Sequence, residues 1–305
     1  MDIEIRPLAE ADLAAADRIF RLAFGTFVGL PEPSSFMGDA ALIAPRWHAD
    51  PQATLGAFRD GELVGSNFAA NWGSFGFFGP LTIRPDLWDQ GIARQLLERT
   101  MALFAAWGTR QLGLFTFPDS PKHHGFYGKF GFAVGALTPV MAKRVERADT
   151  APWTTIAARP GSLAACRALA GAVYPGLDLT GEIAAVAAQK LGDTVLVHDG
   201  TELVAFAVCH AGAGTEAGSD TVYVKFGAAK PGAADAFDRL LAACEAYAHG
   251  LGATALMAGT NAARSRALAL MEARGFKVAF EGVAMLRDGA AGYNRAECLV
   301  MDDWR

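Results

Sequence analysis

The pattern of apolar and polar positions predicts a regular series of strands and helices in the first half of the chain. Short apolar runs bounded by Gly, Pro and Asp predict strands at residues 3–6, 54–58, 63–71, 75–83, 111–116 and 138–142. Apolar residues at helical spacing predict helices at residues 10–24, 36–47, 91–106 and 121–129. This mixture of strands and helices is typical of the α/β (α+β) class.

The second half of the chain repeats this order of elements. Helices are predicted at residues 162–173, 181–191, 233–249 and 262–274, with strands at 195–198, 202–209, 221–226 and 253–257. The turn at Asp60 recurs 139 residues later at Asp199, and the Gly-Phe pair at Gly131 recurs 144 residues later at Gly275. A nearly constant offset indicates two copies of one domain. We place the copies at residues 1–147 and 156–305, joined by a linker at residues 148–155.

Size and charge narrow the class of protein. A chain of 305 residues is long enough for two domains of ordinary size. The net charge of -5 argues against a nucleic-acid partner, which favours basic surfaces.

The 21 uncharged residues 63–83 contain Asn67, Asn71 and several glycines, so we interpret them as a buried hairpin and not as a membrane span. The N-terminus lacks the apolar core of a signal peptide, and we expect a cytoplasmic protein.

The four cysteines, Cys166, Cys209, Cys244 and Cys298, all lie in the second half. Their spacing contains no C-x-x-C pair and no metal-ligand pattern, so we expect buried, reduced thiols and no metal. The absence of cysteine from the first half argues against a covalent thioester relay there.

One turn in the first half has the features of an anion site. The predicted strand ending at Ile83 is followed by a polar turn and then by a helix that begins near Gly91. The first N–H groups of a helix have no internal partners and carry partial positive charge. Small residues at Gly91 and Ala93 allow a phosphate to approach the backbone, and Arg94 can add a charged contact.

This segment resembles the acetyl-CoA pyrophosphate loop of the GNAT N-acetyltransferases, [Q/R]-x-x-G-x-[G/A]. Gly91 and Ala93 match its last two fixed positions, whereas Trp88 stands where the family has Gln or Arg, a contact that Gln90 or Arg94 could supply instead. The resemblance implies acetyl-CoA as co-substrate and two GNAT-like domains in tandem, each a mixed, mostly antiparallel twisted sheet flanked by helices. It implies these cofactor-binding residues: Leu81, Ile83, Gln90, Gly91, Ile92, Ala93, Arg94, Ser120 and His123.

A second segment carries the candidate catalytic residue. In the GNAT family a short helix of the form N-x-x-A-x-x-x-Y-x-x-x-G-F follows the fifth strand. Tyr127, Gly131 and Phe132 match it, while Ser120 and His123 occupy the Asn and Ala positions. By this resemblance Tyr127 is the general acid that protonates the departing CoA thiolate. A phenol with an ordinary pKa of about 10 is suited to that role.

The second copy departs from the family at both motifs. Met271 occupies the tyrosine position and cannot donate a proton. The corresponding turn lacks the G-x-[G/A] spacing, and Pro231 within it has no N–H. We therefore expect a degenerate copy that packs on the first copy and forms a wall of the acceptor cleft.

The general base and the acceptor stay open at this point. The family commonly has a Glu on the fourth strand, but residues 75–83 contain no acid. His123, His124 and Asp119 are the remaining candidates, and we interpret Asp86 and Asp89 as solvated turn residues. Of the aromatic residues Phe68, Trp72, Phe75, Phe77 and Phe78, most are expected in the core, with one set available to an acceptor pocket.

The leading hypothesis is an N-acetyltransferase that moves an acetyl group from acetyl-CoA to a primary amine of a small molecule by direct attack in a ternary complex. The alternative is a non-catalytic acyl-CoA sensor or regulatory protein, and a scaffold that binds no CoA is the third interpretation. We expect no nucleic-acid or membrane partner, and either a monomer or a homodimer.

Overall fold

A computed structural model describes residues 3–146 and 151–305. In the first half, the strands are Ile3–Pro7 (β1), Thr54–Arg59 (β2), Glu62–Trp72 (β3), Phe75–Phe78 (β4), Thr82–Ile83 (β5), Gln111–Thr116 (β6) and Phe132–Arg144 (β7). The α-helices are Leu13–Phe27 (α1), Ile43–Ala49 (α2), Ile92–Trp107 (α3) and Pro121–Gly128 (α4). Most predicted elements are confirmed. The helix expected at residues 36–47 is wrong over its first part, because α2 begins only at Ile43.

The second half follows the same order. Its strands are Trp153–Thr155 (β8), Gly192–Asp199 (β9), Glu202–Gly212 (β10), Gly218–Ala229 (β11), Ala255–Gly259 (β12), Lys277–Arg287 (β13) and Val300–Met301 (β14). Its α-helices are Leu163–Val173 (α5), Thr180–Gln189 (α6), Ala234–Gly250 (α7) and Ser265–Ala273 (α8). The predicted linker lies outside the described residues at 148–150, while residues 153–155 form the edge strand β8.

Among the described residues, the strands form one continuous mixed sheet that crosses both halves. Its order is β1-β2-β3-β4-β6-β13-β7-β12-β11-β10-β9-β8, with β5 paired to β3 and β14 to β11. Most neighbours are antiparallel, and the pairs β4–β6 and β11–β12 are parallel. The uncharged residues 63–83 supply β3, β4 and β5, as expected of a buried hairpin. No helix within residues 3–146 or 151–305 is long and apolar enough to span a bilayer.

The two halves exchange their last long strands. Strand β13 of the second half lies between β6 and β7 of the first half, and β7 lies between β13 and β12 of the second half. The pairing is antiparallel at both junctions: Val283 faces Thr116 across one, and Val140 faces Gly259 across the other. Each half therefore completes the sheet of the other, although the sequence division at residues 147 and 156 assigns each of these strands to one copy.

A shared hydrophobic core lies where the halves meet. Trp72 and Phe75 of the first half pack with Phe226, Tyr293 and Trp304 of the second. The ring centroids of Trp72 and Phe226 are 5.5 Å apart, and those of Phe75 and Trp304 are 4.8 Å apart. Because large aromatic side chains bury much apolar area, this contact fixes the second half against the strands that carry the candidate site.

Candidate active site

The sheet opens between two strands of the first half. Strand β4 runs parallel to β6 from Phe75 to Phe78. Phe78 pairs with Ala69, and Thr82 pairs with Ser66. The segment from Phe78 to Thr82 is therefore one residue longer than the part of β3 that it faces. After this β-bulge, β5 stays on β3 while β6 continues beside β13. A bulge of this kind bends a strand and re-aims its backbone, and here it separates β5 from the end of β6.

The backbone of Leu81 and Ile83 points into the opening. Arg84 donates its backbone N–H to the Val64 carbonyl at 2.9 Å. Because hydrogen-bonded and non-bonded positions alternate along an antiparallel pair, Ile83 and Leu81 then direct their N–H groups away from β3. Both residues line the cavity described below. The strand thus offers free donors to an extended ligand.

Helix α3 begins at the same opening. Gly91 precedes it with φ of 79°, a left-handed conformation that favours glycine, and an added Cβ there would meet nothing within 4 Å. Among the described residues no side chain caps this end, so the N–H groups of Ile92, Ala93 and Arg94 lack side-chain partners. The turn has the backbone arrangement of an anion site.

Trp88, the departure from the family pattern, has a defined contact. Its indole Nε1 donates to the Ile83 carbonyl at 2.8 Å. The Trp88 indole therefore hydrogen-bonds to the Ile83 carbonyl and makes no contact with the Ile83 N–H. Trp88 supports the β5 backbone, and the expected contact to phosphate from this position is replaced by a contact within the protein.

The charged and polar side chains of the turn are largely paired with one another. Gln90 accepts from Arg59 Nη2 at 2.8 Å, and Arg94 Nε lies 2.8 Å from Glu98. Asp89 lies 2.6 Å from Lys122 Nζ. Asp86 pairs with Arg84, and this hydrogen bond lowers the pKa of the Asp86 carboxyl. The two acids expected in the turn are thus exposed and neutralised by cations.

Helix α4 carries the second group of predicted site residues. Ser120 is its N-cap and lies 2.6 Å from His123 Nδ1. Burial, followed by the charges of Lys122 and His124, lowers the pKa of His123, which keeps the imidazole neutral at neutral pH. His124 donates from Nε2 to the Phe117 carbonyl at 3.0 Å.

Tyr127 lies one helical turn after His123, and the two rings are stacked with centroids 6.3 Å apart. The side chain is buried against Phe78, with 7% of its surface exposed. Within the described residues, its hydroxyl makes no hydrogen bond to the protein and is not fully enclosed, and the residue lines the cavity. Burial raises the pKa of Tyr127, so the phenol keeps its proton over the physiological range.

These groups surround one cavity of about 950 Å³. Of the predicted site residues, the cavity is lined by Leu81, Ile83, Gln90, Gly91, Ile92, Ala93, Arg94, His123 and Tyr127. Ser120 is buried beneath His123 and is not among the lining residues. The candidate bases Asp119 and His124 also lie outside the lining. The structure therefore brings together the two sequence motifs, which α3 and β6 separate along the chain.

The comparison with known proteins agrees with this geometry. Residues 17–132, which contain the opening, the turn before α3 and Tyr127, match the model of the acetyltransferase (GNAT) family. This part of the chain is similar to the GNAT acetyltransferases.

Solved structures extend the likeness in fold beyond residues 17–132 to nearly the whole chain. A proposed acetyltransferase from Pyrococcus horikoshii has a TM-score of 0.71 at 13% identity, and the match covers 99% of this chain and 95% of that one. A GCN5-related N-acetyltransferase from Sphaerobacter thermophilus has a TM-score of 0.58 at 14% identity, covering 94% and 97% of the two chains. These matches confirm the predicted fold class across both halves.

The cavity has, beside His123, an aromatic wall that the sequence pattern did not indicate. Phe24 and Phe27 of α1 face Phe117 at the end of β6, with centroid distances of 5.8 and 4.5 Å. Phe27 also contacts the His123 ring at 4.8 Å. The i, i+3 spacing of Phe24 and Phe27 is visible in the sequence, but it is equally typical of a core-facing helix.

The aromatic residues proposed from the sequence lie elsewhere. Phe68, Trp72, Phe75, Phe77 and Phe78 are each at most 2% exposed and do not line the cavity. Their assignment to the core is confirmed, and the proposal that one set faces an acceptor pocket is wrong. The reason is the position of these strands, because Phe68 packs with α1, Phe78 packs with α3, and the other three pack with the second half.

The matching position of the second half has no counterpart to Tyr127. Met271 is fully buried among apolar side chains of that half. Lys230, in the turn before α7, pairs with Glu202. The described residues contain no cluster of three or more His, Cys, Asp or Glu side chains that could hold a metal ion.

Proposed function

We propose that the protein is an N-acyltransferase that moves an acetyl group from acetyl-CoA to a primary amine of a small molecule. The observation that carries the proposal is the position of Tyr127. It lines the same cavity as the free N–H groups of β5 and the uncapped start of α3. A proton donor, a strand edge and an anion site in one cavity correspond to the thiol, the pantetheine arm and the pyrophosphate of one ligand.

The N-terminal end of α3 would hold the pyrophosphate. The N–H groups of Ile92, Ala93 and Arg94 supply donors, and the helix dipole adds a favourable field. The exposed Arg94 side chain, 73% accessible, and Lys122 across the opening add positive charge near the phosphates. Gln90 contributes through its backbone, because its side chain is bound to Arg59.

The free N–H groups of Leu81 and Ile83 would bind the pantetheine arm and the thioester. An extended amide chain can pair with this edge as an added strand. A backbone N–H beside the thioester carbonyl would stabilise the negative charge that develops on its oxygen. The Trp88 contact to the Ile83 carbonyl holds this backbone in place.

The chemistry follows from the position of Tyr127. The amine nitrogen attacks the thioester carbon, a C–N bond forms, and the C–S bond breaks. The phenol gives its proton to the departing sulfur, and the amine loses one proton to a base or to water. The attack is direct in this proposal, because the four cysteines are buried in the second half and none lines the cavity.

The alternative function is an acyl-CoA sensor without turnover. One observation favours it: the carboxylates among the described lining residues, Asp89 and Glu98, are both paired with cations, so neither is free to act as a base. Such a protein would bind acetyl-CoA but release no CoA in the presence of any amine.

The test is the steady-state release of CoA thiol by wild type and by Tyr127→Phe over a panel of primary amines. We expect Tyr127→Phe to lower kcat by about 100-fold with little change in the KM for acetyl-CoA. Tyr174→Phe in the second half is the matched control and should keep the wild-type rate. An unchanged kcat in Tyr127→Phe would remove this residue from the mechanism, and no turnover by wild type with any amine would favour the sensor.

A further inference from the structure

We infer that the acceptor is an aromatic amine whose nitrogen is uncharged at neutral pH. This inference rests on the proposed function and names its substrate class. It follows from three properties of the cavity: an aromatic wall beside Tyr127, the exposure of Phe27 in that wall, and the pairing of the acidic side chains in the lining.

The aromatic wall offers a stacking surface. Phe24, Phe27, Phe117 and His123 form a continuous group of rings with neighbouring centroids 4.5 to 5.8 Å apart. His123 in turn stacks over Tyr127. A planar aromatic ligand gains from contacts of this geometry beyond the burial of its area. An acceptor without an aromatic ring cannot stack in this way.

The aromatic wall is also open to solvent. Phe27, which lines the cavity, is 40% exposed. A large apolar side chain exposed in a cavity favours an apolar ligand, because its area leaves water when the ligand binds.

The charges oppose a cationic amine. Among the described lining residues, the acids are Asp89 and Glu98, and each is held by a cation, Lys122 or Arg94. An ammonium group would therefore find no unpaired carboxylate among the described lining residues.

The protonation state of His123 leads to the same conclusion. The Ser120 contact fixes the ring, and burial keeps it neutral by lowering its pKa. A neutral imidazole does not attract an ammonium group as a carboxylate does. An amine that arrives uncharged needs neither a carboxylate partner nor the removal of a proton before attack, since its lone pair is already available.

The experiment compares 4-methylaniline, benzylamine and spermidine as acceptors at neutral pH, with CoA release and acetyl-CoA binding measured separately. We expect the order of kcat/KM, from highest to lowest, to be 4-methylaniline, benzylamine, spermidine. A higher kcat/KM for spermidine than for 4-methylaniline would overturn the inference and leave the proposed transferase standing. No CoA release with any amine, despite acetyl-CoA binding, would overturn the transferase itself.

A pair of variants tests the wall directly. Phe27→Ser should raise the KM for 4-methylaniline by about 10-fold, as loss of a stacked aromatic contact implies, without changing the Kd of acetyl-CoA. Val278→Ser, which removes an apolar side chain 51% exposed on β13 and outside the cavity lining, is the control. If Phe27→Ser instead weakened the binding of hexanoyl-CoA and left the KM for 4-methylaniline unchanged, the wall would hold the acyl chain and the inference would fail.

Discussion

Arg46 and Glu216 lie in opposite halves of the chain and form a bidentate ion pair. Arg46 Nε and Nη2 are each 2.9 Å from the Glu216 carboxylate, which is almost fully buried. Arg46 Nη1 also donates to the Gly79 carbonyl at 2.6 Å, within the bulge that separates β4 from β5. The second half therefore positions the backbone that we propose binds the pantetheine arm, even though its own tyrosine position holds Met271.

Loss of the Glu216 charge should destabilise the whole protein. Burial alone would raise the pKa of Glu216, but Arg46 and Lys225 hold it well below its usual value, so the buried carboxylate is ionised. Glu216→Gln leaves Arg46 without its carboxylate and leaves Lys225 with Glu182 alone, and we expect a loss of about 3–5 kcal/mol in the free energy of unfolding. Denaturant unfolding measures this loss.

The control for that prediction is an exposed ion pair. Glu202→Gln removes the partner of Lys230, where both side chains are largely exposed, and should cost less than about 1 kcal/mol. Equal losses in the two variants would contradict a special role for the buried pair.

His210 should make stability depend on pH in the mildly acidic range. Burial, followed by the charge of Lys225, lowers its pKa to about 4. The unfolded chain takes up a proton below the ordinary pKa of 6.5 while the folded protein does not, so stability falls as the pH falls from 6.5 to 4. The contribution is about 3 kcal/mol across this window. The Glu216 contribution is lost only at lower pH, below its ordinary pKa of 4.5.

His210→Gln tests this pH dependence, because glutamine does not titrate. The free energy of unfolding is measured at several pH values between the ordinary and the lowered pKa of His210. As the pH falls, it should decline less in the variant than in wild type. The exposed His48→Gln should decline as wild type does. If the free energy of unfolding of His210→Gln fell with pH as steeply as that of wild type, another group would be responsible for the pH dependence.

A carboxylate at the start of α3 should block acetyl-CoA without harming the fold. Ala93→Asp places negative charge at a helix N-terminus, where it favours the helix but repels a pyrophosphate. We expect acetyl-CoA affinity to fall by about 10-fold or more, since each ~1.4 kcal/mol of repulsion is a factor of ten. Ala234→Asp, at the start of α7 in the second half, is the matched control and should leave affinity unchanged. Equal affinities in both variants would exclude the α3 turn as the phosphate site.

Much of the fold was predictable from local patterns. The D-G turns at Asp60 and Asp199 and the Gly-Phe pairs marked the repeat, and the turn at Gly91 and the helix of Tyr127 marked the site. These features depend on residues close in sequence, where glycine conformation and helix periodicity act directly.

The long-range arrangement was not predictable from those patterns. The exchange of β7 and β13 depends on which strands meet, and two halves with the same order of strands offer similar edges to either partner. The aromatic wall arises because α1 brings Phe27 to Phe117, far apart along the chain. Nor did the sequence indicate that Trp88 binds the Ile83 carbonyl. Every residue has a backbone carbonyl, so a contact from the indole N–H to one of them produces no recognisable residue pattern.

Calorimetric titration of acetyl-CoA into the wild-type protein tests most directly for a single acetyl-CoA site in the first half. We predict binding in the micromolar range, about -8 kcal/mol, with roughly one molecule per chain. Two molecules per chain would contradict the loss of the site in the second half. No binding at millimolar acetyl-CoA would contradict the proposed function.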